Sequence, residues 1–240
     1  MKKSICIATY NGSKYLRSQL SSILMQIGAD DEVIIVDDCS SDATVEIIES
    51  FGDERVKVYK NQRNQRHVRS FAKAISLAQN ELIFLSDQDD IWEKNRLEIF
   101  EKKFLDFPEV QLVTSNFYCI DDEDRLIENQ LRKVSASSST SYRKNILDIL
   151  NGRIGYYGCA MAFRRDLVSI LLPIPDYVEA HDLWIGMAAN VRKSNLHIED
   201  KTLYHRIHRD NASNLKRSMY KKIKARLGFL KQYRELSKRM

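Results

Sequence analysis

Proline and glycine are scarce in this chain, with 3 and 8 residues among 240. Such low numbers exclude a collagen-like protein, a proline-rich linker and a glycine-rich array. Cysteine is also rare, and because no CxxC pair is present we do not expect a zinc site. The four cysteines are Cys6, Cys39, Cys119 and Cys159.

Long apolar runs are missing as well. No stretch approaches the run of about 20 apolar residues that a membrane-spanning helix needs. The first twelve residues include two lysines but no long apolar core and no cleavage site, so they predict a strand and not a signal peptide. We therefore expect a cytoplasmic protein with free thiols. The hydrophobic fraction of 43% is enough for a sizeable core and excludes a wholly disordered chain.

Short apolar strands alternate with amphipathic helices through the first 115 residues. The pattern predicts strands at 4–9, 32–36, 56–59, 81–85 and 110–114, and helices at 13–27, 42–51, 69–79 and 91–106. Because the strands are nearly continuous apolar runs, they indicate a sheet covered on both faces. We expect a doubly wound, mostly parallel α/β fold. No GxGxxG follows the first strand, which argues against a dinucleotide-binding site.

The second half of the chain is less regular. Residues 135–141 (SASSSTS) have low complexity and predict a mobile loop. Residues 157–163 predict a strand that enters a helix, and residues 185–191 predict a helix. No internal repeat is present.

Acidic residues follow two of the predicted strands. Asp37 and Asp38 follow the second strand, and Asp87, Asp89 and Asp90 follow the fourth. Ligands bind beyond the carboxyl ends of strands in an open parallel sheet, so we expect these side chains to converge. Two such charges 4 Å apart repel by roughly 4 kcal/mol in a surface-like dielectric, which a cation would offset.

The spacing of Asp87 and Asp89 suits a divalent ion, Mn²⁺ or Mg²⁺, which takes one or two carboxylates together with water and substrate phosphates. The alternative is that the acidic residues only cap the helices that follow. It stays open for Asp37 and Asp38, and it is weaker for residues 87–90 because one cap needs one carboxylate.

Two later motifs add candidates. The pair His181 and Asp182 opens a predicted helix over 181–190, where Asp182 is either an N-cap or a general base for a hydroxyl nucleophile. Residues 204–208 (YHRIH) place Arg206 between two histidines. One histidine could complete a metal shell, and Arg206 could hold phosphate.

Four motifs occur in a fixed order. They are residues 8–12 (ATYNG), 36–42 (VDDCSSD), 87–92 (DQDDIW) and 181–184 (HDLW). Each is weak alone, but the ordered set resembles the family 2 inverting glycosyltransferases, which have the GT-A fold, and in particular the rhamnosyltransferase-like branch that builds bacterial surface polysaccharides. The resemblance covers residues 4–211. It implies a domain at 1–212, with a nucleotide-sugar half at 1–115 and an acceptor and catalytic-base half at 116–212.

The resemblance also implies roles for individual residues. Asp182 would deprotonate the acceptor hydroxyl as the general base. The nucleotide would contact Thr9, Tyr10, Asn11, Asp37, Asp38, Arg66, Asp87 and Arg206, with Asp38 preferred for the base ring. The metal, Mn²⁺ or Mg²⁺, would be held by Asp87, Asp89 and His208, and the acceptor would lie near Gly158, Cys159, His181 and Trp184.

The chain departs from the family pattern at two positions. Arg66 stands where the family has glycine in an Asn-x-Gly-Val segment, so either the loop differs or Arg66 adds a diphosphate contact. Leu183 stands where the branch usually has an aromatic residue. Both departures leave the donor sugar undefined.

The last 28 residues form a distinct basic segment. Residues 213–240 contain ten Lys or Arg and one Glu, a net +9, so the remaining chain carries −4 of the total +5. Apolar residues at spacings of three and four, among them Leu227 and Leu230, predict a basic amphipathic helix. It could lie on an anionic membrane, dock on the domain, form a dimer contact or stay in solvent. The mildly acidic body and the lack of an aromatic platform in the tail argue against nucleic-acid binding.

The sequence as a whole predicts a metal-dependent inverting glycosyltransferase. The resemblance implies a UDP- or dTDP-linked donor, with dTDP-L-rhamnose as the default of the branch, and a lipid-linked saccharide acceptor of surface polysaccharide synthesis at the inner face of the membrane. The alternatives are a non-catalytic nucleotide- or saccharide-binding module and a sugar nucleotidyltransferase. A nucleotidyltransferase commonly has a glycine-rich basic loop after the first strand, which residues 8–14 do not provide.

Overall fold

The computed structural model describes residues 1–208 and 219–240, and within the last helix it describes the side chains from residue 225 onward. In these residues one sheet contains all eight strands. They are β1 (Lys3–Thr9), β2 (Glu32–Asp37), β3 (Val56–Lys60), β4 (Leu82–Ser86), β5 (Ile91–Trp92), β6 (Leu112–Ile120), β7 (Met161–Arg164) and β8 (Asn195–Arg206).

Eight α-helices cover this sheet in the described residues. They are α1 (Leu16–Leu24), α2 (Thr44–Glu49), α3 (His67–Leu77), α4 (Arg96–Asp106), α5 (Tyr142–Leu150), α6 (Val168–Leu171), α7 (His181–Val191) and α8 (Met219–Lys238). Short 3₁₀ turns lie at Ala136–Ser138, Gly158–Ala160 and Arg165–Leu167. None of the helices in the described part of the chain is long and apolar enough to cross a bilayer.

The strand order is β3-β2-β1-β4-β7-β6-β8-β5. The pairs β1–β2, β1–β4, β2–β3 and β6–β8 are parallel. By contrast, β7 is antiparallel to both of its neighbours and β5 is antiparallel to β8. The order reverses direction beside β1, so a crevice opens at the carboxyl ends of β1 and β4, where ligands bind in such sheets.

Helices pack on both faces of the sheet, as the apolar strands predicted. Along β1, Cys6 belongs to the core on the α3 and α7 side, whereas Ile5 and Ile7 belong to the core on the α1 and α4 side. This alternation follows from the two-residue period of a strand. All four cysteines are free thiols, as expected.

One sequence prediction is wrong in detail, and one predicted loop has contacts that the sequence did not indicate. The predicted helix at 91–106 begins only at Arg96, because Ile91 and Trp92 pair with Tyr204 and Leu203 as a short strand. The predicted loop at 135–141 contains a 3₁₀ turn, and Ser138 Oγ lies 2.8 Å from His197 Nδ1. Both features depend on partners more than 50 residues away, which local patterns do not indicate.

The described part of the basic segment, residues 219–240, contains helix α8 and docks on the domain. Leu236 in α8 is fully buried, and Arg239, directly after the helix, donates hydrogen bonds to the carbonyls of Ile170 and Pro173. The same guanidinium lies 5.3 Å from the ring of Trp184 in α7. The predicted boundary between residues 212 and 213 falls outside the described residues.

Candidate active site

The loops after β1 and β4 meet at the crevice. Gln88 Oε1 accepts a hydrogen bond from the Tyr10 amide at 2.8 Å, and Gln88 Nε2 donates to the Tyr10 carbonyl at 3.2 Å. A Cβ at Gly12 would come within 2.4 Å of Gln88 Oε1, so this approach favours glycine. The Tyr10 ring is 49% exposed and remains available to a planar ligand.

Asp37 organises the turn that follows β2. Its Oδ1 accepts hydrogen bonds from Thr9 Oγ1 at 3.1 Å and Ser40 Oγ at 2.5 Å, and its Oδ2 accepts the Ser40 amide at 3.0 Å. Asn11, in the left-handed region at φ 48°, accepts the Ser41 amide on Oδ1 at 2.8 Å. These bonds bring the predicted nucleotide residues of β1 and β2 together on one wall of the crevice.

Asp38 lies in the same wall and, like Asp37, is nearly fully buried. Its Oδ1 accepts hydrogen bonds from Asn61 Nδ2 at 2.9 Å and from the Gln65 amide at 2.8 Å. Neither Asp37 nor Asp38 caps α2, whose N-cap is Ala43. The capping alternative for this pair is therefore excluded.

Arg66 occupies the left-handed region, with φ 69°, directly before α3. This backbone conformation favours glycine, the residue found there in the family pattern. The backbone at Arg66 thus has a conformation that glycine adopts readily, and the Arg66 side chain is exposed. A diphosphate contact by Arg66 stays a prediction.

A buried cluster of potential metal ligands lies behind the β4 loop. One ligand atom from each of Asp87, Asp90, Cys159 and His205 falls within 4.8 Å of the others. His205 Nδ1 is 2.9 Å from Asp90 Oδ1 and 3.7 Å from the thiol of Cys159. Cys159, predicted on the acceptor side, therefore also faces the acidic loop. Residues 87–90 precede strand β5 and not a helix, so capping does not explain them.

Burial and charge shift the pKa values of this cluster in opposite directions. Burial, with the charges of Asp90 and Asp89, raises the pKa of Asp87 to about 8. Burial alone would raise the pKa of Asp90, but the neighbouring His205 holds it below its usual value. In return, the carboxylates raise the pKa of His205 to about 9 against the effect of burial. The cluster is thus an ion pair of His205 and Asp90 beside the Asp87 carboxyl, which is mostly protonated at neutral pH when no cation is bound.

Asp89 and His208 form the outer part of the predicted metal site. His208 Nε2 lies 2.8 Å from Asp89 Oδ2, and both side chains are mostly buried. A carboxylate oxygen and an imidazole nitrogen are donors that Mn²⁺ accepts. Asp90 Oδ2 is buried without a hydrogen-bond partner. The carboxylate and imidazole donors of Asp89 and His208 fit a divalent cation, whereas the unpartnered Asp90 oxygen belongs to the neighbouring cluster with Asp87, Cys159 and His205. A bound cation would offset the repulsion among the carboxylates of Asp87, Asp89 and Asp90.

Arg206 connects the end of β8 to the acidic loop. Its Nε donates to the Asp89 carbonyl at 2.9 Å, its Nη1 to the Asp121 carbonyl at 2.7 Å, and its Nη2 pairs with Asp124 at 2.5 Å. The side chain is nearly fully buried. These bonds fix the loop that presents Asp89, and the predicted contact of Arg206 with a phosphate stays a prediction.

Asp182 lies in the first turn of α7. The N-cap of this helix is Ala180, and the Asp182 carboxylate accepts the Leu183 amide at 2.8 Å. Burial raises the pKa of Asp182 to about 6. Its charge acts on Asp87, so the candidate base and the acidic loop share one electrostatic environment. The Asp182 carboxylate can therefore accept a proton beside a potential cation-binding site.

His181 packs where α7 meets the acceptor-side turn. Its ring stacks on Phe71 with centroids 4.2 Å apart, and both ring nitrogens are buried without hydrogen-bond partners. Burial, with a contribution from His67, lowers its pKa to about 3, so the ring is neutral. A Cβ at Gly158 would come within 2.7 Å of His181 Nε2. The absence of a side chain at Gly158 therefore lets the 3₁₀ turn at Gly158–Ala160 approach α7 closely.

The position of Trp184 contradicts the expectation that this residue lies near the acceptor. Its ring is fully buried, and its Nε1 donates to the Leu171 carbonyl at 3.1 Å. The side chain belongs to the core beneath α7 and not to an accessible acceptor surface. The spacing of Asp182 and Trp184 indicated only that both lie near the start of one helix.

Sequence reasoning missed the roles of Gln88, Asp90 and His205 as the connectors of the site. All three stand inside motifs that were recognised, at 87–92 and 204–208. No signal in the sequence indicated the role of Gln88, because its approach to Gly12 is visible only in the fold. The signal for Asp90 and His205 was a carboxylate and a histidine in excess of what one metal ion needs. Asp90 and His205 are 115 residues apart, so their pairing is visible only in the fold.

Comparison with known proteins places these features in a family. The model of "Glycosyl transferase family 2" matches residues 4–171. An uncharacterized glycosyltransferase of Nostoc sp. strain PCC 7120 is 28% identical over 176 residues, which cover 72% of this chain and 54% of that protein. The Escherichia coli protein WfgD, named UDP-Glc:alpha-D-GlcNAc-diphosphoundecaprenol beta-1,3-glucosyltransferase, is 33% identical over 96 residues, or 40% of this chain and 38% of WfgD.

A solved structure shares the fold. The crystal structure of S. aureus TarS 1-349 in complex with UDP-GlcNAc superposes with a TM-score of 0.75 at 21% identity, covering 96% of this chain and 66% of that one. The architecture is thus the GT-A fold that TarS has. The chain spans about half the length, or less, of the two curated relatives described above.

Proposed function

Because the chain belongs to glycosyl transferase family 2, we propose that it moves a sugar from a nucleoside-diphosphate donor to a saccharide hydroxyl with inversion at the anomeric carbon. The observation behind this proposal is the meeting of Asp89 and His208, 2.8 Å apart, with the Asp87 carboxylate and the Asp182 base at one crevice of the sheet. One side of the crevice can hold a metal and diphosphate, and the other can accept a proton.

The nucleotide binds, in this proposal, on the wall formed by the ends of β1 and β2. The Tyr10 ring stacks on the base, and the carboxylate of Asp37 or Asp38 accepts the ring N–H. Their existing hydrogen bonds to Thr9, Ser40 and Asn61 keep both carboxylates in place before the ligand arrives. Such preorganisation lowers the cost of ordering the site on binding.

Asp87, Asp89 and His208 hold a divalent cation, Mn²⁺ or Mg²⁺, in this proposal. Bound there, the cation acts as a Lewis acid that stabilises the charge developing on the diphosphate leaving group. The Arg206 hydrogen bond to the Asp89 carbonyl keeps the loop in its binding position. Asp90 and His205 support the same loop from beneath.

Asp182 serves as the general base. It takes the proton of the acceptor hydroxyl as the oxygen forms its bond to the anomeric carbon and the diphosphate departs from the opposite face. A pKa of about 6 lets the carboxylate be ionised near neutral pH and still accept a proton. The turn at Gly158 packs against His181, the residue directly before this base.

For the donor we propose a UDP- or dTDP-sugar, with dTDP-L-rhamnose among the sugars to be tested. A pyrimidine nucleotide is supported by the shared fold with TarS, whose crystal structure contains UDP-GlcNAc. For the acceptor we propose a lipid-linked saccharide of surface polysaccharide synthesis. The support for this class is the printed activity of WfgD, which acts on a diphosphoundecaprenol-linked sugar.

A lipid-linked acceptor requires the enzyme to work at a membrane, and we propose that α8 provides the contact at the inner face. Leu227, Leu230 and Tyr233 are 63%, 44% and 40% exposed on the surface of this helix. Arg226, Lys231 and Arg234 are exposed among them. Apolar side chains with interspersed cations suit an anionic bilayer surface, where each basic residue contributes about 1 kcal/mol.

Nucleoside-diphosphate release tests the transferase activity. Purified protein is incubated with a panel of UDP- and dTDP-sugars, with Mn²⁺ or Mg²⁺ and with EDTA. We expect slow hydrolysis of one donor that EDTA abolishes and that Asp89→Ala abolishes as well. Asp106→Asn, an exposed aspartate at the end of α4 on the opposite edge of the sheet, should release nucleotide like the wild type.

Each outcome of this assay separates the candidate functions. Release that survives both EDTA and Asp89→Ala would contradict the metal site. Nucleotide binding without release, even with lipid-linked saccharides added, would favour a non-catalytic binding module. Formation of a nucleotide sugar from a nucleoside triphosphate and a sugar phosphate would indicate a nucleotidyltransferase.

Vesicle flotation tests the membrane contact. The full chain should float with vesicles containing phosphatidylglycerol and not with pure phosphatidylcholine vesicles. Leu227→Glu with Leu230→Glu should reduce flotation. The exposed pair Leu105→Glu and Phe107→Glu, at the end of α4, is the matched control and should not. Equal flotation of both double variants would contradict the role of α8.

A further inference from the structure

Tyr15 lies beside the site but belongs to none of the recognised motifs. It directly precedes α1, and its amide donates to the Gly12 carbonyl at 3.1 Å in the turn that follows β1. The side chain is half-buried. Its ring extends from this turn toward the end of β8, more than 190 residues away in the sequence.

The two C-terminal site residues contact the Tyr15 ring. The Arg206 guanidinium carbon lies 4.5 Å from the ring centroid, within the range of a cation–π interaction. The His208 ring lies 5.4 Å away at an interplanar angle of 33°. The tyrosine ring therefore touches both the residue that fixes the Asp89 loop and the histidine that faces Asp89.

The Tyr15 hydroxyl is anchored as well. It donates a short hydrogen bond to the Asp122 carboxylate, which also pairs with Lys14 Nζ at 3.1 Å. Asp122 belongs to the turn after β6 that Arg206 holds through the Asp121 carbonyl and Asp124. Tyr15, this turn and Arg206 thus form a closed set of contacts, which we call the Tyr15 bracket.

The position of His208 explains why a bracket is needed. His208 lies two residues beyond the end of β8, and the backbone there is tied to the sheet through the Ile207 amide, which donates to the Ile120 carbonyl at 2.8 Å. Past that bond, side-chain contacts orient the imidazole. A ligand that rotates freely loses entropy when it binds a metal, and fixing its ring beforehand removes part of that cost.

We propose that Tyr15 is a positioning residue that holds His208 in the orientation in which it ligates the divalent cation with Asp89. The inference rests on the proposed metal-dependent function. In this proposal the ring of Tyr15 packs against His208 and Arg206, and the hydroxyl of Tyr15 is held by its hydrogen bond to Asp122. Tyr15 itself contacts neither the metal nor the sugar.

Mn²⁺ binding tests this inference without any turnover. The affinity is measured from the free-Mn²⁺ electron paramagnetic resonance signal, with UDP present, for wild type, His208→Ala, Tyr15→Leu and Tyr15→Phe. Tyr15→Leu should weaken Mn²⁺ binding by about fivefold to tenfold. Tyr15→Phe keeps the ring and should weaken it by about twofold or less. Tyr142→Leu, a half-buried tyrosine at the start of α5, is the matched control and should bind as the wild type does.

A second variant keeps the test informative if Tyr15→Leu does not fold. Asp122→Asn changes an exposed side chain that contacts Tyr15 through the hydroxyl and not through the ring, and it should weaken Mn²⁺ binding slightly, as Tyr15→Phe does. Wild-type affinity in Tyr15→Leu, with weakened affinity in His208→Ala, would overturn the positioning role and leave the proposed function intact. Absence of Mn²⁺ binding in the wild type would overturn the metal site and this inference together.

Discussion

At the scale of the residue, Asp182 meets two demands that conflict for an exposed aspartate. A general base must be ionised at the working pH and still basic enough to accept a proton. Burial raises the pKa of Asp182 to about 6, which satisfies both near neutral pH. Because the carboxyl must be ionised to act, activity is lost as the pH falls through this value.

The pH dependence of kcat/KM measures this property. We expect an increase of about tenfold per pH unit below pH 6 and a plateau above it. Asp182→Asn should lower kcat by about 100-fold or more and leave nucleotide binding nearly unchanged. A profile that is flat through pH 6, or an Asp182→Asn variant with normal kcat, would show that another residue accepts the proton.

Residue identities in the site were largely visible in the sequence, and their environments were not. Residues 87–92 and 181–184 placed Asp89 and Asp182 correctly at element ends, because carboxylates after apolar strands and at helix starts follow local rules. The complete burial of Trp184 and the pairing of Asp90 with His205 depend on packing between distant segments. No spacing within one motif contains that information.

At the scale of the element, two glycines in helices have opposite surroundings. A Cβ at Gly186 in α7 would lie 2.7 Å from the Tyr156 ring, whereas a Cβ at Gly228 in α8 would have no neighbour within 4 Å. The first glycine lets α7 approach Tyr156 closely. The second has no packing role, and it costs the helix backbone entropy.

This contrast gives a paired prediction for the free energy of unfolding. Gly186→Ala should lower it by about 1–3 kcal/mol, because the ring of Tyr156 has to move. Gly228→Ala should raise the stability of α8 by about 0.5–1 kcal/mol. Urea denaturation followed by circular dichroism measures both, and equal effects of the two substitutions would contradict the close contact of α7 with Tyr156.

The helices and parallel strands of the first half followed from local patterns, whereas β5 did not. Ile91 and Trp92 form two residues of strand only because Tyr204 and Leu203 lie beside them. A two-residue strand contains no periodicity to detect, so the helical pattern that begins at Arg96 was extended over it. Residues 135–141 form a loop with one 3₁₀ turn, and their contact with His197 on another strand was not visible in the local pattern for the same reason.

At the scale of the whole molecule, the C-terminal helix is part of the fold. Leu236 is fully buried against the domain, and Leu227, about two and a half turns earlier and so on the opposite face, is 63% exposed. The composition of residues 213–240 indicated an amphipathic helix but left its contacts open. One face is now seen to pack on the domain, and the other remains available for the proposed membrane contact.

Substituting each of these two leucines with alanine shows which face of α8 contributes to the stability of the fold. Leu236→Ala should lower the free energy of unfolding by about 2–5 kcal/mol, because it leaves a cavity in the core. Leu227→Ala should change it by no more than about 0.5 kcal/mol. Thermal denaturation of the full chain checks both values. A stable Leu236→Ala variant would mean that the helix does not pack on the domain in solution.

Calorimetric titration of the protein with UDP and with dTDP, in the presence and absence of Mn²⁺, tests the central claim most directly. The crevice between β1 and β4 should bind one of these nucleotides with Mn²⁺ present, and at least about tenfold more weakly after EDTA treatment or in Asp89→Ala. Binding that is the same with and without Mn²⁺ and unaffected by Asp89→Ala, or no binding of either nucleotide, would contradict a metal-dependent nucleotide-sugar site at this edge of the sheet.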